Sequence, residues 1–257
     1  MWDVWCAGGP VLISGRCPVT RRGWVGGEPQ QHHRVLLVRA GAFLRRLNGV
    51  EAFVDCTSVS VVRPGDDMQV AHPLGCGDLF TILELRESDA DECGLRGGEY
   101  GLGDELDLAH RHLINAARQG IDELELAERM GRILDRLPSE RQRDRGALRA
   151  SHRRLVAQAA ELMVTEGYGL GLEGIAGRLQ CSPHHLSRVF HRVMGQTMSA
   201  YRNRARVRQV LADLEDGDLR LRDLAARYGF ADQAHMIRVV RRHAGDSPGT
   251  LQKMLRA

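Results

Sequence analysis

Apolar positions along this chain fall into two textures. From Trp24 to about Leu85 they come in short runs cut by turns: Arg34-Val35-Leu36-Leu37-Val38, Glu51-Ala52-Phe53-Val54-Asp55, Ser58-Val59-Ser60-Val61-Val62-Arg63, Met68-Gln69-Val70-Ala71-His72 and Leu79-Phe80-Thr81-Ile82-Leu83-Glu84-Leu85. Asn48-Gly49 is a hairpin signal and Pro64-Gly65-Asp66-Asp67 a further turn. Short strands at this spacing predict a small barrel or sandwich. Beyond Gly101 the period lengthens to that of a helix. Leu106, Ala109, His110, Leu113 and Ala117 make one stripe, and Ile121, Leu124, Ala127, Ile133 and Leu134 a looser second. Pro138 to Ala150 has few apolar residues and reads as a linker. Residues 1–23 are weakly patterned: Trp2 and Trp5 stand ready to tuck against a neighbour, whereas Arg16 and Thr20-Arg21-Arg22 read as exposed.

From Ser151 the text is helical throughout, and it repeats. A first helix carries Leu155, Val156, Ala159, Leu162 and Met163 and ends at Gly167-Tyr168-Gly169. Then Leu172-Glu173-Gly174-Ile175-Ala176-Gly177-Arg178 answers to Leu221-Arg222-Asp223-Leu224-Ala225-Ala226-Arg227, 49 residues on. Leu186 to Gly195 answers to Met236 to Gly245, 50 residues on, so one extra residue sits in or beside the second turn. Each copy reads as helix, turn, helix. In the first, Ser182 is a good N-cap and Pro183 suits the first helical position; Leu186, Val189, Phe190 and Val193 face inward, and Gly195 ends the helix. In the second, Asp232 is the cap, Met236, Val239 and Val240 face inward, and Gly245 closes. A long helix from Ser199 to about Glu215 joins the copies, its stripe Met198, Tyr201, Ala205, Val210, Leu211 and Leu214. Arg202, Arg204, Arg206 and Arg208 fall mostly on its other side, available to phosphates or to Asp213 and Glu215.

A helix pair of this kind reads DNA by laying its second helix in the major groove. The first copy leaves Ser182, His184, His185, Ser187, Arg188, His191 and Arg192 outside; the second leaves Gln233, His235, Arg238, Arg241 and Arg242. These groups donate hydrogen bonds or carry positive charge, and no acid follows either cap. That is the chemistry required against phosphates and base edges. Arg188 and Arg238 are the leading contacts, because a guanidinium grips guanine bidentately or holds a phosphate. His184, Ser187, Gln233 and His235 suit base edges; His191, Arg192, Arg241 and Arg242 suit the backbone.

Here the text closely resembles the AraC/XylS-type transcription regulators. The matching residues are Ser182-Pro183-His184-His185-Leu186-Ser187-Arg188-Val189-Phe190, Gly195, Tyr201 with Arg206, Leu224-Ala225-Ala226-Arg227-Tyr228-Gly229-Phe230-Ala231-Asp232-Gln233 and Gly245-Asp246-Ser247-Pro248. Met236, Val240, Leu251 and Met198 depart from the family pattern at positions that look like core, and Ile237 replaces a usually small polar residue, which blunts base readout by the second helix. The resemblance implies two motifs entering adjacent major-groove segments on one face of double-stranded DNA. The order of strand, Pro-Gly turn and His before a further strand is similar to the cupin-like sensor domain that often precedes this module. That likeness implies a barrel holding a small-molecule effector, with the following helices as a homodimer interface. Activation of transcription, with RNA polymerase as partner, is the family habit.

Composition sharpens the division. Residues 152–257 hold 17 Arg and Lys against 10 Asp and Glu, a net +7; residues 1–151 hold the remaining 19 against 23, a net −4. A basic module carried by a near-neutral partner fits nucleic-acid binding, although Lys occurs only at Lys253 and Arg abundance follows genome composition. Cys6, Cys17, Cys56, Cys76, Cys93 and Cys181 are scattered, with no zinc-type pairing. Without a secretory signal they imply reduced thiols in a cytoplasm, and no apolar run suggests a membrane span. Cys76, between two glycines, has no identifiable partner thiol for a redox role. His32 and His33 are adjacent, so on one strand they point to opposite faces and cannot share an ion. His72 is the best single ligand candidate and Glu28 a poor fourth, so the reading is no metal and no cofactor; His72 serves better as a weak candidate effector contact.

The sequence thus predicts an α+β, two-domain, non-enzymatic regulator of transcription. Residues 1–137 form a cupin-like sensor and dimerisation domain, with a β-barrel over about 24–100 and flanking helices over about 104–135. Residues 138–150 are the linker. Residues 151–257 form an all-α DNA-binding domain with two helix-turn-helix motifs joined by a long helix. The rival readings are a cupin-type metal enzyme, a DNA-repair methyl-transfer regulator (whose four-cysteine zinc site is not matched here) and a DNA binder with no effector.

Overall fold

The computed structural model describes residues 2–17, 23–72, 77–137, 149–166, 168–217 and 220–256. It divides into two compact units, Met1–Arg143 and Asp144–Ala257. Most of the expected linker, together with Thr20-Arg21-Arg22, Cys76 and Gly167, lies outside the described residues.

The first unit runs β1 (Trp2–Cys6), β2 (Val11–Arg16), β3 (Val25–Pro29), β4 (His33–Ala40), β5 (Ala42–Leu47), β6 (Val50–Asp55), β7 (Ser58–Val62), β8 (Asp67–Ala71), β9 (Leu79–Leu85), α1 (Glu87–Glu92), β10 (Gly98–Gly101), α2 (Asp104–Gln119) and α3 (Glu123–Arg136). The strands form two sheets, ordered β1-β2-β9-β4-β7-β10 and β3-β8-β5-β6. The expected barrel is therefore corrected: among the described residues the sheets do not close on one another. Asn48 and Gly49 both take positive φ, 48° and 77°, and link β5 to β6 with Leu47 opposite Val50. That is the backbone a tight two-residue hairpin requires.

Five strands escaped the sequence pattern: β1, β2, β3, β5 and β10. β1 and β2 pair as a hairpin on the edge of the larger sheet, where Trp2 stands edge-on to Phe80 at 5.5 Å yet stays 59% exposed. β5 was hidden by its charge: Arg45 is completely buried and forms an ion pair with Glu99 of β10, tying one sheet to the other. Ser60 donates to the same carboxylate at 2.8 Å. Burial pushes the Arg45 guanidinium down to about 10, against an opposing pull from Asp66.

Helices α2 and α3 cover the larger sheet. Leu12, Val35, Leu37, Val59, Val61 and Leu83 pack with Leu106, Leu113, Ile114, Leu126, Met130, Ile133 and Leu134. Each such side chain contributes roughly 1.5–3 kcal/mol when fully buried. Gly120 ends α2 in the left-handed conformation, and Asp122 caps α3 by accepting from the Glu125 amide at 2.8 Å. The first expected stripe is buried or half-buried; the second was misplaced at Leu124, which is 72% exposed.

The second unit is helical: α4 (Ala150–Thr165), α5 (Leu172–Arg178), α6 (Pro183–Met194), α7 (Met198–Asp216), α8 (Leu221–Arg227), α9 (Gln233–Ala244) and α10 (Pro248–Arg256). α7 runs between the motifs and packs against α6, α9 and α10. Tyr201 meets Phe190 edge-on at 5.3 Å. The departures from family pattern at Met198, Met236, Val240 and Leu251 are all buried, as core positions. Among the described residues no helix is long and apolar enough to cross a membrane.

Candidate nucleic-acid interface

Each motif is a short helix, a left-handed residue and a capped second helix. In the first, Ile175 and Ala176 anchor α5, and Gln180 takes φ +52° to reverse the chain. The Cys181 amide returns to the Ala176 carbonyl at 3.0 Å. Ser182 then caps α6, its hydroxyl accepting from the His185 amide at 3.2 Å, with Pro183 in the first turn. Leu186, Val189 and Phe190 seat the helix. Ser182, His184, Ser187, Arg188, His191 and Arg192 are left in solvent, while His185 is half-buried against His152 of α4 at 6.1 Å.

In the second motif Leu224 and Ala225 anchor α8, and Gly229 supplies the positive φ. Phe230 returns to Ala225 at 2.9 Å. The extra residue is Ala231, between that return and the cap. Asp232 accepts from the His235 amide at 2.6 Å. Gln233, Arg238, Arg241 and Arg242 are exposed. His235 is half-buried, its ring edge-on to Phe230 at 5.7 Å, and its Nδ1 accepts from the Ala231 amide at 3.2 Å. In the neutral ring that leaves the proton on Nε2, so His235 offers one outward donor. Ile237 is half-buried.

One feature was missed in the sequence. Arg149 and His152, at the start of α4, share the electrostatic surroundings of α6. The His152 ring is held below its ordinary value by desolvation first, then by Arg149, Arg192, His185 and Arg188. The run Arg149, His152, Arg153, Arg154 was the available signal, and linker composition obscured it. For the α7 arginines the sequence left phosphate contact and pairing with Asp213 or Glu215 both open. Arg202 donates to the Leu170 carbonyl at 2.5 Å and Arg204 to Gln196 at 2.9 Å. Arg206 donates to the Tyr168 carbonyl at 2.6 Å and lies 5.3 Å from the Phe230 ring centre; Arg208 is buried. Desolvation, then the charge of Arg202, pushes Arg206 down to about 10. Arg206 is an internal brace and Arg208 is buried, while Asp213 pairs with Arg227 and Tyr228.

A family model described as a helix-turn-helix domain matches residues 175–254, both motifs and the helix between them. The C-terminal unit is an AraC-type, DNA-binding helix-turn-helix domain. A curated relative, the probable transcription factor PqrA of Proteus vulgaris, is 27% identical over 93 residues, covering 36% of this chain and 76% of the relative. Among solved structures, ToxT of Vibrio cholerae with bound unsaturated fatty acid aligns over 96% of both chains at 9% identity and a TM-score of 0.38. The DNA-binding domain of AdpA with a target DNA covers 40% of this chain and 92% of its own at 24% identity and a TM-score of 0.38.

His72 belongs to the first unit. It is 2% exposed, its Nε2 is 2.7 Å from Asp78 Oδ1, and its ring lies 5.8 Å from that of Phe43. His32 is exposed, 3.7 Å from Glu84, and Glu28 is exposed on β3.

Proposed function

We propose that the protein is a sequence-specific regulator that sets α6 and α9 into successive major-groove segments of an operator. The observation that carries this reading is the pair of capped helices whose solvent faces hold His, Ser, Gln and Arg and no acid. His184, Ser187, Arg188, Gln233 and His235 Nε2 meet base edges; His191, Arg192, Arg238, Arg241 and Arg242 meet phosphates; Ser182 and His185 flank the entry of the first helix. Arg149 adds positive field beside α6, with the uncharged His152 ring packed on His185. The first unit acts as the sensor of a small effector, supported by the polar groups enclosed within it (Arg45, Glu99 and Ser60). Activation through RNA polymerase, homodimerisation through α2 and α3, and a cytoplasmic setting complete the reading.

Footprinting on DNA flanking the protein's own gene, at two salt concentrations, tests it. Two protected major-groove segments about one helical turn apart, surviving the salt step, are expected. Even protection that vanishes with salt overturns sequence-specific reading.

A further inference from the structure

Sequence reasoning found no set of metal ligands, because the three residues concerned come from separate strand ends. Cys17 follows β2, His72 follows β8 in the other sheet, and Asp78 precedes β9. We propose that Cys17, His72 and Asp78 bind a divalent transition-metal ion of the zinc class, joining the two sheets at one end. One ligand atom from each residue lies within 4.8 Å of the other two. Tetrahedral ligands bonded to zinc at about 2.0–2.3 Å stand roughly 3.3–3.8 Å apart, so Cys17 must draw in and the His72–Asp78 pair, at 2.7 Å, must open slightly.

The frame is built by the backbone. The Cys17 amide donates to the Asp78 carbonyl at 2.9 Å, extending the β2–β9 pairing past Arg16 and Leu79. The turn between β4 and β5 presses on the same spot: a Cβ on Gly41, at φ +81°, would lie 2.9 Å from Asp78 Cα. His72 and Asp78 are 2% and 3% exposed, and Cys17 is half-buried, leaving an approach for an ion and a water.

The chemistry selects the metal. Thiolate, imidazole and carboxylate together suit zinc and its borderline neighbours, not calcium or magnesium, which take oxygen ligands. A second observation points to a ligand: His72 Nδ1 is buried with no hydrogen-bond partner among the described residues, while a carboxylate holds Nε2. The ion enters between the ring and the carboxylate in place of their shared hydrogen bond, which keeps both His72 and Asp78 as ligands.

The site stands independently of DNA reading, and the full-length, chelator-stripped protein tests it directly. Equilibrium dialysis is expected to return about one Zn2+ per chain, and Co2+ to give a thiolate-to-metal charge-transfer absorption. Cys17→Ser should abolish that absorption and weaken Zn2+ binding at least about tenfold; His72→Gln should weaken it similarly, and Cys93→Ser should change neither. Zn2+ should raise the melting temperature of the wild-type protein and not of Cys17→Ser. Absence of a tightly bound ion, absence of the thiolate band in the wild-type Co2+ form, or a band that survives Cys17→Ser would each overturn the site. The wild-type spectrum decides the matter even if a variant fails to fold.

Discussion

The two helix-turn-helix copies solve one folding problem with different residues. Both reverse the chain through a left-handed residue, Gln180 in the first and Gly229 in the second. Both end the second helix at a glycine of positive φ, Gly195 and Gly245. Both tie the first helix back to the helix before it: Arg178 to Glu166 at the end of α4, Arg227 to Asp213 of α7. The outward faces diverge. Where the first copy has His184 and Ser187, the second has Ala234 and Ile237, while Arg188 and Arg238 correspond. Scaffold was conserved between the copies because backbone geometry and core packing admit few solutions. The faces were free to separate, the first keeping more neutral hydrogen-bonding groups and the second more arginine.

The largest expected break in this comparison lies in recognition. Arg188→Ala should cost about 1–3 kcal/mol on the specific operator and much less on random DNA. Arg238→Ala should cost more evenly across sequences and flatten the salt dependence by about one phosphate contact. Equal losses of discrimination in titrations against competitor DNA would erase the proposed division of labour.

Next come the tie-backs. Asp213, 23% exposed, also accepts from the Tyr228 hydroxyl at 2.8 Å, whereas Glu166 serves an Arg178 that is half in solvent. Asp213→Ala should cost about 1–2 kcal/mol in urea unfolding, and Glu166→Ala under about 1. The turns should respond in opposite directions and by less. Gln180→Gly should stabilise by about 0.5–1 kcal/mol, because glycine relieves the left-handed strain at a smaller entropic cost; Gly229→Ala should destabilise by about 1.

The smallest effect is a difference in pH response. Burial first, and then the hydrogen bond to Asp213, hold the Tyr228 phenol above its ordinary value. The neutral phenol is thus favoured by the fold, so its contribution is intact below pH of about 10 and drains away as pH rises further. The matching residue in the first copy is Leu179, which does not titrate. Tyr228→Phe should therefore flatten the alkaline loss of stability in chemical denaturation between pH 9 and 11 (approximate bounds set by the free phenol). An unchanged alkaline slope would remove Tyr228 from the comparison.

Legibility followed the range of the forces involved. Ser182, Asp232, Gly195 and Gly245 act within one turn of their own helix, and the 3.6-residue stripes of α6 and α9 name their own buried faces. The helical half was therefore readable almost residue by residue. The β-rich half was not. β5 carries Arg45 inward, which breaks strand alternation in the text and makes sense only beside Glu99, which follows more than fifty residues later. Arg202 and Arg206 looked like surface charge until Leu170, Tyr168 and Phe230 closed around that side of α7.

By itself the sequence determined the duplicated motif, the caps, the composition of the two outward faces and the charge division between the halves. Each of these depends on neighbours three or four residues away, or on no neighbour at all. Tertiary structure alone decided that the β region is two unclosed sheets, that buried arginines brace the interior, and that Cys17 meets His72 and Asp78. Those outcomes depend on strand pairing between distant segments. Pairing is driven by backbone hydrogen bonds and shared burial, which leave little trace in the local pattern of side chains.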